Sequence, residues 1–281
     1  MTVLLISLLT ACGPQTDVTW ELPEHGVMVV REQHTTTTRT PLGMEEVVVD
    51  KSLVWRVLDG GTVGQDDVAW REEVGSWTVK YTDLGGSFQW QMGEGQALPE
   101  KLVMLAPTQP REVYVSAGGE VRIVQLSPPE PEPEPEPTRR RRRSDPPPPE
   151  PVPWAANNRI QSWVLGFVHA PGTTVRRGTD WTWGGDKEVT RSANATTQSS
   201  WELERVDEGL AVLRESIALQ GSRPPSAGFF QTTALAGGAD VRLATDSHRL
   251  LTYSSRYEAD IASPSARGTA VRVSEVTFEV P

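Results

Sequence analysis

Four histidines, one cysteine and a few acidic pairs are the residues with which this 281-residue chain could do chemistry. None of His25, His34, His169 and His248 stands within four residues of another or of the cysteine, so no HExxH helix and no zinc-ligand spacing is present. His34 falls in a strand-like run and His169 at the end of a helical stretch, and each reads as a lone surface or capping side chain. No GxSxG elbow, SxxK pair or phosphate loop occurs. Gly184-Gly185 and Gly237-Gly238 lack the strand-to-helix setting that a phosphate site needs. Asp66-Asp67 and Glu72-Glu73 supply hard oxygen donors of the kind calcium takes, but their spacing matches no EF-hand loop, and an exposed acidic turn is the simpler reading. The residues therefore predict no catalytic group, no metal and no cofactor.

Cys12 is the one cysteine. An apolar run from Val3 leads into Leu9-Thr10-Ala11-Cys12, with small residues ahead of the thiol. That spacing resembles a lipobox, the bacterial signal whose cysteine is acylated at sulfur and becomes the mature N-terminus. The run is too short to span a bilayer, which takes about 20 residues. Residues 1–11 carry no Lys or Arg, unlike the usual positive start of such a signal. The stretch GPQTDVTWELPEHG that follows is polar and rich in Pro and Gly, as a tether is. A lone thiol fits an exported protein whose only cysteine is consumed, the rival being a free thiol on a buried strand. This reading makes 1–11 a signal peptide, 12–26 a tether and a membrane the first partner. Acyl chains such as palmitate then hold the chain at about 0.8 kcal/mol per buried CH₂. Gly13 follows the cysteine; where Asp at that place retains a lipoprotein at the inner membrane, Gly implies outer-membrane delivery.

Two further groups could bind rather than react. Ten tryptophans stand out in the composition. Trp181 and Trp183 share one face of a short strand, where they could stack sugars or line a groove for acyl chains. Trp55, Trp77, Trp90, Trp163 and Trp201 alternate with polar residues and read as core. The other group is Arg139, Arg140, Arg141, Arg142 and Arg143, which could grip an anionic envelope polymer or lipid phosphate. They sit in SPPEPEPEPEPTRRRRRSDPPPPEPVP, residues 127–153, which has no apolar side chain but Val152 and cannot bury a core. A solvated spacer carrying its own counter-charges is the better reading. Fully extended it would reach on the order of 80 Å at polyproline rise. Net charge is −10, and residues 12–126 carry nine basic against seventeen acidic residues, which argues against nucleic acid as a partner.

The elements that must position these residues are mainly strands. MVVREQHTTTTRT is a β-branched run closed by Pro41-Leu42-Gly43. In EEVVVDKSLVWRVL, Val47, Val49, Leu53, Trp55 and Val57 share one face at period two. Asp59-Gly60-Gly61, Leu84-Gly85-Gly86, Gly118-Gly119 and Asp207-Glu208-Gly209 are turn signals. Ile160, Trp163, Val164 and Phe167 recur at helical spacing, and Pro171 ends that helix. The stretch 240–260 predicts a hairpin turning near Asp246-Ser247, with Leu251, Tyr253 and Tyr257 on one face. SLVWRVLDGGTV at 52–63 is echoed by SSWELERVDEGLAV at 199–212, which suggests two related meanders.

The strand VVREQHTTTTRT, the Trp55–Gly61 hairpin, the helix before HAPGTTVRRGTDWTW and the later WELERVDEGLAV together resemble a family of uncharacterised bacterial lipoproteins. Pro171, Val175, Gly178 and Trp181 fit a phrase that precedes the family's second meander. The resemblance spans most of 27–281 apart from the Pro/Arg stretch. It implies a β-rich extracytoplasmic domain and lends no catalytic residue.

The sequence thus predicts a mainly β (α+β) fold. Two antiparallel meanders, 27–126 and 154–281, form a sandwich or half-barrel with one helix, interrupted by a disordered linker at 127–153, and pack as one domain. It predicts a non-enzymatic, lipid-anchored structural or binding protein of the bacterial cell envelope. The first rival is a carrier of lipid or another apolar ligand in a β-lined cavity; the second is a glycan-binding module.

Overall fold

The structure is a computed structural model that describes residues 14–95, 97–126, 160–190, 193–221 and 230–280. The signal run 1–11, Cys12, and the 127–153 linker with Arg139 to Arg143 lie outside the described residues. The described chain opens with β1 (Gln15–Asp17), β2 (Glu21–Leu22), β3 (Gly26–Thr40), β4 (Gly43–Asp59), β5 (Gly61–Thr62), β6 (Val68–Asp83) and β7 (Gly86–Gln91). A 3-10 turn at Glu100–Leu105 leads to β8 (Arg111–Val115) and β9 (Val121–Gln125). Next come helix α1 (Ser162–Val168), β10 (Thr174–Arg176), β11 (Asp180–Thr190), β12 (Ala193–Asp207), β13 (Leu210–Gly221), β14 (Gln231–Ala244), β15 (Arg249–Ala262) and β16 (Arg267–Glu279).

Twelve of these strands make one antiparallel sheet, ordered β11-β12-β13-β14-β15-β16-β3-β4-β6-β8-β9 with β7 on β6. The two expected meanders are therefore halves of one sheet, joined where β16 pairs with β3 from Glu279–Val29 to Thr269–Arg39. The sheet does not close, since β11 and β9 are edges. Of the two shapes expected, this is the half-barrel.

Period-two alternation decides which side chains face in. Met28, Val30 and Glu32 of β3 stand opposite Trp55, Leu53 and Lys51 of β4 on the buried face. The concave side closes over α1. Trp163, Val164 and Phe167 are buried there, as the helical spacing predicted. Trp163 stacks on Trp55 at 5.6 Å, and Trp55 on Trp70 at 4.8 Å. Trp20 meets Trp163 and Phe167 at 5.4 and 5.5 Å. Trp77 and Trp90 are buried as well, so the core reading of the alternating tryptophans holds.

The long strands give the molecule two ends. At the helix end, the turns at Gly64 and Gly119 lie against Phe167 and Val168, and Glu21 bonds the backbone of His248 in the β14–β15 turn. At the far end stand the β3–β4, β6–β7 and β15–β16 turns. Strand β3 alone, at about 3.3 Å per residue, separates the ends by roughly 45 Å.

Three local expectations are corrected. Within 12–26, read as tether, Gln15–Asp17 and Glu21–Leu22 are strands, and Val18, Trp20 and Leu22 are buried, because these alternating apolar residues complete the core beneath α1. Asp59-Gly60-Gly61 is not a tight hairpin: Gly61–Thr62 pair with Glu21–Leu22, so the chain detours before β6. Leu251 does not share a face with Tyr253 and Tyr257. A bulge in β15 lets Leu250 oppose Leu243 while Thr252 opposes Arg242, and the extra residue, Leu251, turns outward.

Candidate functional site

Among the described residues, one groove lies at the far end. Two hairpin tips, Leu42-Gly43-Met44 and Asp83-Leu84-Gly85, converge there with Lys101 and Met104 of the 3-10 turn and with Phe230, around about 550 Å³. Tight turns place the apolar residues at the apices, where no strand can cover them. Leu42 and Leu84 are each 80% exposed and Met104 71%. Gly43 lets the tips meet: a Cβ there would lie 2.5 Å from Leu84 Cδ1.

The groove has a polar corner. The Tyr81 hydroxyl lies 2.8 Å from Asp83 Oδ2 and 3.0 Å from Glu45 Oε2, and its one proton serves them in alternation. Lys101 Nζ donates to Asp83 at 3.1 Å and sits 4.0 Å over the Tyr81 ring. The hydrogen bond from Tyr81, then those from Lys101 and Gly85, hold the Asp83 carboxyl below its usual range. An apolar wall with one polar corner suits an amphiphile, whose tail can lie along Leu, Met and Phe while its head stays in water.

Three other ionisable clusters, around Glu32, Glu215 and Glu72, are buried in the sheet and hold strands together. Glu32 Oε2 receives Lys51 Nζ at 2.8 Å and His34 Nε2 at 2.9 Å. Burial pushes the Glu32 carboxyl up, but Lys51 and His34 outweigh it and hold it well below the usual range. Burial pushes the His34 imidazole down, against its bond to Glu32. His34 is thus an inward, paired side chain rather than the surface residue expected, because β3 stays in register with β4 past Glu32. Glu215 accepts from Ser199 and Tyr257, each at 2.7 Å. Arg111 Nε donates to Glu72 at 2.9 Å, and Gln161 beside α1 donates to the other oxygen at 3.0 Å. Glu72 is therefore a buried anchor for the helix, not part of an exposed acidic turn. Among the described residues no group of three or more His, Cys, Asp and Glu is placed to hold a metal.

Trp181 and Trp183 do not form an exposed stacking face. They are buried at 7% and 8% exposure: Trp181 Nε1 donates to the Gly166 carbonyl of α1 at 2.8 Å, and Trp183 stacks on His169 at 6.3 Å. Trp20 is buried too. These rings pack against the helix and its C-terminal end, so the alternative reading of Trp181 and Trp183 as an exposed stacking face gives way to the core reading. In the sequence Leu42 and Leu84 are legible only as turn residues, and Met104 is not marked at all. The available signal was an apolar side chain at the turn positions Pro-Leu-Gly and Leu-Gly-Gly, where polar residues are the rule.

No protein-family model and no curated protein matches the chain. Among solved structures it is similar to a chain from a study of lipid–protein interactions in lipovitellin, with a TM-score of 0.47 and 8% identity over 92% of this chain. This chain spans 25% of that one.

Proposed function

We propose that the chain is a non-catalytic binding protein of the bacterial cell envelope, held to a membrane through Cys12, that takes the acyl chain of a lipid in the far-end groove. The observation that carries this is the groove itself: about 550 Å³, walled by Leu42, Met44, Leu84, Met104 and Phe230. That size falls within the roughly 300–1,000 Å³ of small-molecule sites. Turn apices built from Leu and Met lose stabilising burial unless something covers them. The lipobox-like run ending at Cys12 supports the anchor and, with it, an environment in which lipids are at hand.

The test is displacement of a fluorescent fatty acid from the purified chain, alongside native mass spectrometry of protein exported to a bacterial periplasm. Saturable binding that Met44→Glu and Met104→Glu each weaken at least tenfold is the expected result. Binding that is absent, or unmoved by either substitution, would falsify the groove as the site. The anchor is tested separately, by the mass of the mature N-terminus with and without Cys12→Ser.

A further inference from the structure

We infer that the far end of the half-barrel is a lipid-surface docking site, in which the Leu42 and Leu84 hairpin tips and the Met104 turn enter the acyl boundary of a zwitterionic membrane. This goes beyond binding of a single ligand and stands without it. Three loops distant in sequence bring their most exposed apolar side chains to one end of the sheet: Leu42 and Leu84 at 80%, Met104 at 71%, and Met44 and Val103 at 46% and 45%. The helix-end turns at Asp207-Glu208-Gly209 and Asp246-Ser247 have polar apices, and the exposed apolar residues near that end, Leu58, Val206 and Val280, reach only 43–45%.

Area and charge choose the occupant. At roughly 60–120 Å² of apolar surface per such side chain, the cluster offers a few hundred Å². A stable protein interface takes about 800 Å² from each partner and a continuous fitted surface. Separate apices around an open groove do not provide that, whereas a bilayer boundary accepts protruding apolar side chains without shape matching. Among the described residues behind the apices, Arg39, Lys101 and Arg267 stand with Glu45, Glu46, Asp83 and Glu100, and of these Lys101 pairs with Asp83 at 3.1 Å. That belt is matched to zwitterionic headgroups and gives no net pull towards an anionic leaflet.

The experiment uses the chain from residue 14 onward, which keeps every described strand and lacks both the apolar run and Cys12. Co-sedimentation with phosphatidylcholine vesicles is compared for the parent, Leu42→Gln, Leu84→Gln and the pair. Each substitution should weaken partitioning about tenfold and the pair about a hundredfold, with the melting midpoint unchanged because both side chains are exposed. An environment-sensitive dye on Leu42→Cys should shift to the blue with vesicles, while the same dye on Asp246→Cys, at the helix end, should not. No vesicle binding, binding indifferent to both leucines, or a blue shift at residue 246 overturns the inference. Loss of free fatty-acid binding with intact, leucine-dependent vesicle binding refutes the groove reading alone and upholds the docking surface.

Discussion

Gly166→Ala sets two effects of opposite sign against each other inside α1. On intrinsic helix propensity the substitution should stabilise, by about 1 kcal/mol. The packing says otherwise. A Cβ on residue 166 would lie 2.4 Å from Trp201 Cζ2, with two more indole atoms at 2.5 and 2.6 Å, where ordinary contact begins at 3.4 Å. The indole would have to retreat by about 1 Å, and it has nowhere to go: Trp201 is fully buried, with Phe167 at 5.9 Å and Trp181 at 6.3 Å. The Trp181–Gly166 hydrogen bond ties the same turn of helix to the sheet. Overpacking a rigid ring costs about 3 kcal/mol at the upper end of its usual range. Less the helical gain, the net loss is about 2 kcal/mol, or a melting midpoint lower by roughly 4–8 °C for a domain of this size. Thermal and urea unfolding followed by near-UV circular dichroism would show it. A midpoint equal to or above the parent's would refute the claim that α1 packs directly on Trp201.

Lys51→Met should cost about 3–5 kcal/mol, because it leaves the buried Glu32 carboxylate without its cation; a urea midpoint within experimental scatter of the parent would contradict the pairing. Acid should act through the same cluster. The folded His34 imidazole is held below 6.5 and the Glu32 carboxyl below 4.5, so the unfolded chain binds more protons as pH falls. Their stabilisation is complete above about pH 6.5; His34's share is lost first, as pH drops through its folded value, and Glu32's begins to go only below 4.5. His34→Gln should remove the first limb and leave the second, and identical pH profiles for the two proteins would rule out His34 as its source. Tyr257→Phe takes from the buried Glu215 carboxylate a donor at 2.7 Å, at a cost of about 1.5–3 kcal/mol, measurable by the same unfolding assay; no change would show that Ser199 at 2.7 Å and the Tyr253 hydroxyl at 3.4 Å suffice.

Much of this architecture was legible in the chain. Alternation of Val47, Val49, Leu53, Trp55 and Val57 fixed both the strand and its buried face, since side chains two apart must share a side of a sheet. Pro41-Leu42-Gly43 and Asp207-Glu208-Gly209 located turns because few residues accept their backbone angles: Glu208 and Gly209 have φ of 48° and 82°. Trp163, Val164 and Phe167 marked a short helix by spacing alone.

What lay beyond reach depended on partners far away in the chain. Whether Trp181 and Trp183 face solvent is decided by α1, which closes over them. That His34 turns inward and is half-buried follows from Glu32 and Lys51 meeting across β3 and β4. Leu251 turns outward because of one extra residue in a register set by β14. The groove is the clearest case, since Leu42, Leu84, Met104 and Phe230 are neighbours only because strands of matching length end at the same level of one curved sheet. Periodicity reports which face a residue takes within its own element. Which elements meet, and which apices stay uncovered, is set by long-range pairing, and no local pattern encodes that.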